Sequence, residues 1–484
     1  MFDIKGKKEC IMKIYQNVKE LKNVKQLIIP LCENQNLPEF VDEVLGCDIS
    51  NEVSLVYGDV TELYTLGKCD IVKFIIVGLG DKEKLTRKLY RQAVGKIARS
   101  CKEHFAIYVD EKEEACVNNR VYDAVYQSIY SQYNFTKINA EKKEDVLFDI
   151  VCTFDVEEVV NKAVLDAKSI CHARDLGNMP SNYMIPEKLA EEAKAFAEEF
   201  GLRYEILGNK ELKELGAGGI LGVNRGSKNE ARLITIWYEG NPGSEYTALV
   251  GKGLTFDAGG YNLKPGGSMR GMKFDMCGGA NVLGAFEWIV RNKQKVNVMV
   301  VIASTENKIG PDGFTCDEVL VSMSGKTIEI TNTDAEGRLI LCDALTYAQK
   351  LGAKRIIDMA TLTGACIVAL GKTYTGAFTN SEKFLDELME CAKSVEEKVW
   401  PLPIDDDFRE QVRKCDVADM TNAVLGGAGG GSSLAAAFLE EFIEEGTEWI
   451  HLDIAGPADI ASGTDYATQG ATGVMIETLG NLLK

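Results

Sequence analysis

Histidine is scarce in this chain. Three occur in 484 residues: His104, His172 and His451. A His-Glu-x-x-His zinc helix is therefore excluded. A Ser-His-Asp triad would have to recruit one of these three, and no Gly-x-Ser-x-Gly elbow accompanies them. Any metal chemistry must rest mainly on carboxylates. The 14 cysteines contain no Cys-x-x-Cys pair, and several sit inside apolar runs (Cys152, Cys342, Cys366). They read as reduced core residues rather than a thiolate zinc site or a disulfide framework. No run approaches the roughly 18 apolar residues of a membrane span. The N-terminal "MFDIKGKKECIMKIYQNVKE" has no apolar signal core, so the chain reads as cytoplasmic. Basic charge is also in deficit. Lys and Arg number 54 against 73 Asp and Glu, a net charge of −19. That balance argues against a general nucleic-acid or membrane-surface binder, which needs a basic face.

What the chain does have is length, a globular composition and alternation. It is 45% hydrophobic and 26% charged, with room for two or three domains. "KQLIIPL", "VKFIIVGLG" and "VLFDIVCTF" read as buried strands, short and rich in β-branched residues. Helical spacing runs through 85–105, 119–135 and 157–178. Past Pro186 and Gly201, which frame another helix, strand-like runs recur in "ARLITIWYEG", "YTALVGKG", "VNVMVVIAS", "AKRIIDMATL" and "EWIHLDIAG". Strands alternating with helices predict an α/β fold with a largely parallel sheet. The polar stretch "TKINAEKKED" (136–145) approaches a boundary placed near residue 160. This gives an N-terminal domain over 1–160 and a larger one over 161–484. The glycine tract "LGGAGGGSS" (425–433) reads as a helix-entry loop.

Two nucleotide motifs fail. "VGLGDKE" lacks the third glycine of a dinucleotide fingerprint, and Met272 stands where a P-loop needs lysine. Another stretch is more informative. In "VGKGLTFDAGGYNLKPGGSMRGMKFDMCGG" (250–279) a strand is expected to end at Val250. Lys252, Asp257, Lys264 and Asp275 follow among nine glycines. Ligands of α/β folds bind outside the carboxyl ends of strands. The loop mixes these charges with apolar residues, which suits a pocket wall better than a solvated linker. "TNTDAEGRLIL" (331–341) adds Asp334, Glu336 and Arg338 at a second strand-to-helix seam. A polar turn would use the same residues. If Asp257, Asp275, Asp334 and Glu336 converged, their repulsion would call for divalent cations. Two ions roughly 3.5–4 Å apart, sharing a carboxylate and a water, is the common arrangement. Spacing alone leaves open whether the two segments meet.

"NTDAEGRL" (332–339) closely resembles the signature of the leucyl aminopeptidases, the two-metal exopeptidases of the cytosol aminopeptidase (M17) family. "ARDLGNMPSN", "VGKGLTFDAGG", "MKFDMCGGA", "DMATLTGAC", "ADMTN" and "HLDIAGPA" match in the family's order, over roughly residues 165–480. The first 150 residues carry no such motif and are assigned by position. The resemblance implies an N-terminal α/β (macro-like) domain, for assembly or regulation, and a larger C-terminal α/β catalytic domain. The latter would have a mixed, mostly parallel central sheet flanked by helices. It also implies two divalent ions (Zn²⁺ or Mn²⁺) held by Lys252, Asp257, Asp275, Asp334 and Glu336, with Asp257 and Glu336 bridging. A metal-bridged hydroxide would attack. Lys264 would stabilise the gem-diolate, and Arg338 would hold a bicarbonate as general base. Met272, Thr361, Leu362, Gly364 and Ala455 would line a pocket for a Leu- or Met-like N-terminal residue. The implied assembly is a homohexamer, a dimer of trimers. The departures are Ala258 for serine, "YNLK" for "ISLK", and the unusual loop "NKIGPDGFTCDEV". A second reading is a family member that binds DNA as a regulator, with or without catalysis; a third is a two-metal phosphoesterase.

Overall fold

A computed structural model describes residues 12–111, 113–138, 140, 146–424, 426 and 429–484. Parts of the N-terminal stretch, of "TKINAEKKED" and of the glycine tract lie outside the described residues. The chain divides into two compact units. The first runs to Lys168 and takes in Ser462–Gln469. The second comprises Ser169–Ala461 and Gly470–Lys484. The division falls within one 22-residue helix, Glu157–Asn178.

The first unit is built on β1 (Ile14–Tyr15), β2 (Gln26–Leu31), β3 (Val60–Tyr64), β4 (Lys73–Gly78), β5 (Phe105–Tyr108) and β6 (Phe148–Val151). They form one sheet in the order β1-β6-β5-β2-β4-β3. Every pairing is parallel except that of β3 with β4. The central strands are apolar on both faces, as parallel strands covered by helices must be. The segment 462–469 arrives from far along the chain. The Tyr466 carbonyl accepts bonds from Ser131 Oγ (2.7 Å) and Gln127 Nε2 (3.3 Å).

The second unit holds β7 (Arg203–Leu207), β8 (Arg232–Glu239), β9 (Tyr246–Asp257), β10 (Asn297–Asn307), β11 (Val319–Val321), β12 (Thr327–Glu329), β13 (Ala353–Ala360), β14 (Thr375–Thr379), β15 (Val399–Pro401), β16 (Met420–Thr421) and β17 (Glu448–Asp453). Eight of them form the main sheet, ordered β15-β14-β17-β13-β9-β10-β8-β7. The four central strands β17, β13, β9 and β10 are mutually parallel; β8 and β14 turn against them. The architecture is therefore mixed α/β, with the mostly parallel sheet that the strand–helix alternation predicts.

From β9 the chain crosses through the helix Cys277–Arg291 to β10 on one side. It later returns through the helix Gly337–Lys350 to β13 on the other side. Strand order reverses at β9, so a crevice opens beyond its carboxyl end. The helix Cys277–Arg291 is buried almost all round. It packs against β9 so closely that a Cβ on Gly251 would lie 2.6 Å from Gly279 Cα.

Two expectations need correcting. β9 does not stop at Val250 but continues to Asp257, because β10 pairs with it through to Asp257, while β13 pairs with it only as far as Gly251. The strand leading into "TNTDAEGRL" is β12, which belongs to a separate three-stranded sheet, β11-β12-β16, rather than to the main one.

Candidate active site

Lys252 and Asp257 are five residues apart on β9, and in an unbroken strand they would face opposite ways. A bulge prevents this. Lys252 pairs with Ala303 and Asp257 with Asn307, so five steps on β9 match four on β10, with the irregularity at Thr305/Glu306. A bulge takes up one residue and re-aims the chain. Both side chains thereby reach the same crevice.

The structure brings together the acids and bases of both sequence motifs. Lys252 Nζ lies 2.8 Å from Asp275 Oδ1 and 3.0 Å from Glu336 Oε1. It also donates to the Thr361 carbonyl at 3.0 Å. Lys264 Nζ bridges Asp257 Oδ2 and Asp334 Oδ1, each at 2.7 Å. Asp257, Asp334 and Glu336 each offer a carboxylate oxygen, and these all lie within 4.8 Å of one another.

The local chain explains each position. Asp257 ends β9, where its Oδ1 accepts the Gly259 N–H (2.8 Å) and Asn307 Nδ2 (2.9 Å). Asp275 lies on the short turn Met272–Met276 before the buried helix, and Thr361 Oγ1 donates to its Oδ1 at 2.7 Å. Glu336 immediately precedes the helix Gly337–Lys350. Gly337 leaves room there, since a Cβ would stand 2.8 Å from Lys252 Nζ and 2.9 Å from Leu362 Cδ1 and would displace those side-chain ends.

The electrostatics are those of charges withdrawn from water. Burial, aided by Asp257, raises the Glu336 carboxyl despite Lys252. Burial likewise raises Asp275 and Asp334. Burial works against the charged lysines too, but their carboxylate partners outweigh it and both stay protonated in this arrangement.

These residues fit divalent cations. Asp275 Oδ2 and Glu336 Oε2 are buried with no hydrogen-bond partner, a costly state that a coordinated ion relieves. Oxygen-rich donor sets suit manganese, and the one amine suits zinc as well. Lys252 would have to shed its proton to serve as a ligand, so ion uptake and proton release are linked.

Arg338 stands apart from the carboxylates. Its Nη1 donates to the Asn422 carbonyl at 2.8 Å, and its Nε is buried without a partner. Burial holds its pKa down to about 10, with Glu336 and Asp453 opposing. Of the five pocket residues, Leu362 and Ala455 are gathered by one carboxylate. Asp453 Oδ1 accepts the Leu362 N–H at 3.2 Å and the Ala455 N–H at 3.1 Å. Gly364 opens the helix Gly364–Leu370, and Met272 begins the turn that carries Asp275.

Sequence reasoning missed Asn307, which donates to Asp257, the mutually bonded pair Asn262 and Thr333, and Asp453, which holds Leu362 and Ala455. Asn307 ends its strand as Asp257 does, which is the only local hint. The histidines take no part. His451 Nδ1 pairs with Asp358 at 2.6 Å, and His172 Nδ1 with Glu287 at 2.5 Å. Cys152, Cys342 and Cys366 are free thiols and are buried as expected.

An α/β crevice at a strand-order switch, lined by carboxylates and two lysines, is a candidate divalent-metal centre. Comparison with known proteins refines the class. Residues 171–480 match the catalytic domain of the cytosol aminopeptidase family, and residues 51–142 match that family's N-terminal domain. The chain belongs to the cytosol aminopeptidase family and is a metallo-aminopeptidase in the general sense. Among solved structures it resembles the bottromycin maturation enzyme BotP in complex with Mn. The identity is 26% and the TM-score 0.85, covering 95% of this chain and 100% of that one. A second structure of BotP matches at 26% identity and TM-score 0.84, covering 95% and 98%.

Proposed function

We propose that this chain removes N-terminal residues from peptides, preferring Leu- or Met-like side chains. The observation that carries this reading is the convergence of Asp257, Asp334 and Glu336 within 4.8 Å, with a protonated lysine set between two of them. Lys252, Asp257, Asp275, Asp334 and Glu336 would hold two divalent ions, zinc or manganese. When bound, such ions polarise a carbonyl and bring a water's pKa near neutral. Lys264 retains its proton and donates a hydrogen bond to the scissile carbonyl oxygen as negative charge develops there. Arg338, with its buried Nε free of protein partners, would hold a bicarbonate, which when bound would supply a general base.

Met272, Thr361, Leu362, Gly364 and Ala455 form the wall for the first side chain. Asp275 already engages the Thr361 hydroxyl, which leaves its methyl for an apolar side chain. Asp453 fixes Leu362 relative to Ala455 through two backbone bonds. Among the described residues no helix is long and apolar enough to cross a membrane. A cytoplasmic location and a homohexameric assembly complete the reading. Light scattering tests the assembly, with six times the 53.1 kDa chain mass expected.

The activity test is hydrolysis of a panel of amino-acid p-nitroanilides before and after treatment with 1,10-phenanthroline. Leucine and methionine derivatives should be cleaved fastest. Activity should vanish on chelation and return with zinc, manganese or cobalt. Undiminished hydrolysis by verified metal-free protein would overturn the reading.

A further inference from the structure

Lys264 now draws Asp257 and Asp334 together. Divalent ions entering the cluster compete for those same carboxylate oxygens, so this charged bridge depends on occupancy. A contact that holds the two ligand-bearing loops in register, empty or loaded, has to be neutral. One loop (257–264) carries Asp257 and Lys264; the other (331–336) carries Asp334 and Glu336.

Asn262 and Thr333 supply such a contact. The Asn262 N–H donates to Thr333 Oγ1 at 2.8 Å. The Thr333 N–H donates back to Asn262 Oδ1 at 2.8 Å. The Thr333 hydroxyl donates a hydrogen bond to the Gly259 carbonyl at 2.6 Å. Because a backbone N–H can only donate, the amide atom facing Thr333 is the oxygen. Thr333 is fully buried. Two further bonds brace the pair. Asn307 Nδ2 reaches both Asp257 Oδ1 and the Thr333 carbonyl (2.9 and 3.0 Å). The Cys316 thiol lies 3.2 Å from Asn262 Oδ1. Each residue is one or two positions from a charged group of the site: Asn262 from Lys264, Thr333 from Asp334.

We propose that Asn262 and Thr333 are positioning residues, a neutral latch that sets the spacing between the Asp257–Lys264 loop and the Asp334–Glu336 loop. The latch thereby fixes both the affinity of the outer ion and the reach of Lys264. The inference rests on the two-metal aminopeptidase reading above. Outer-shell hydrogen bonds of this kind typically govern metal affinity or activity by about 10–100-fold.

The test uses the full-length chain, stripped and titrated with Mn²⁺ by calorimetry, and assayed on leucine p-nitroanilide. Asn262→Ala and Thr333→Val should weaken the weaker Mn²⁺ step by about 10-fold and spare the tighter one. They should lower kcat by about 10–100-fold and leave KM nearly unchanged. Thr333→Ser, which keeps the hydroxyl, should restore both. Cys316→Ala, which removes one bracing donor, should act in the same direction more weakly. Asn262 is exposed, so its alanine variant should fold, as circular dichroism checks. A folded Asn262→Ala protein with both Mn²⁺ affinities unchanged would overturn the latch. Failure of the wild-type protein to cleave any aminoacyl p-nitroanilide would instead overturn the activity reading, and the Mn²⁺ titration would still decide the latch.

Discussion

At the inner end of the cluster, the Lys252 and Glu336 side chains are each 3% exposed and Asp275 8%. At the outer end, Lys264 is 15% exposed and Asp334 31%. The inner lysine projects from a central strand hydrogen-bonded on both sides. The outer lysine and Asp334 sit on loops joined by side-chain and loop hydrogen bonds. The same chemical pairing, a lysine between two carboxylates, is thus built twice with different rigidity and different access to water. The difference is one of setting. On the two-metal reading Lys252 would have to lose its proton to serve as a ligand, whereas Lys264, nearer to solvent, would keep its proton between Asp257 and Asp334.

The comparison can be broken by substitution at either end. Glu336 touches the inner lysine and also belongs to the outer oxygen triplet, so Glu336→Ala should have the largest effect. Peptidase activity should fall by roughly 10³-fold or more, the scale of losing a catalytic metal, with lower metal content by elemental analysis and an intact circular dichroism spectrum. Lys264→Ala should act on chemistry alone, lowering kcat by about 10²–10⁴. A change confined to KM would contradict the oxyanion role. Gly337→Ala pushes a methyl against Lys252 and should cost about 1–3 kcal/mol of stability by overpacking, read as a lower Tm.

A smaller effect calibrates the electrostatic argument away from the cluster. His172 is also a cation between carboxylates, and it is half-buried. Burial opposes its charge, but Glu287 and Glu192 outweigh it and push the pKa up to about 10, from an ordinary 6.5. Between those values the folded protein binds a proton that the unfolded chain does not. The stability His172 contributes should therefore be full below about pH 6.5 and lost as pH rises toward 10. The Tm decline over that window should shrink in His172→Gln.

Much of this was legible in the sequence, and the limit has a physical cause. The α/β alternation survived intact, and the helical run at 157–178 is one continuous helix. Asp334 and Glu336 stood out because a charged pair at a seam between buried elements is locally odd. Lys252 stood out only as one of four charges in a glycine-rich loop, and its ligand role came from resemblance alone. The bulge that swings Asp257 to the side of Lys252 depends on pairing with a strand 50 residues away. Asn307, Asn262 and Thr333 act through bonds to distant segments, with no composition or periodicity to mark them. The same holds for 462–469, which joins the first compact unit through Ser131 and Gln127, more than 300 residues back.

We propose that the cluster of Lys252, Asp257, Asp275, Asp334 and Glu336 holds two divalent ions with unequal grip. Calorimetric titration of stripped protein with Mn²⁺ tests it directly, comparing wild type with Asp334→Ala. The predicted result is two binding steps per chain in the wild type, with only the weaker step lost in the variant. A single step in the wild type, or loss of both steps when Asp334 is removed, would contradict it.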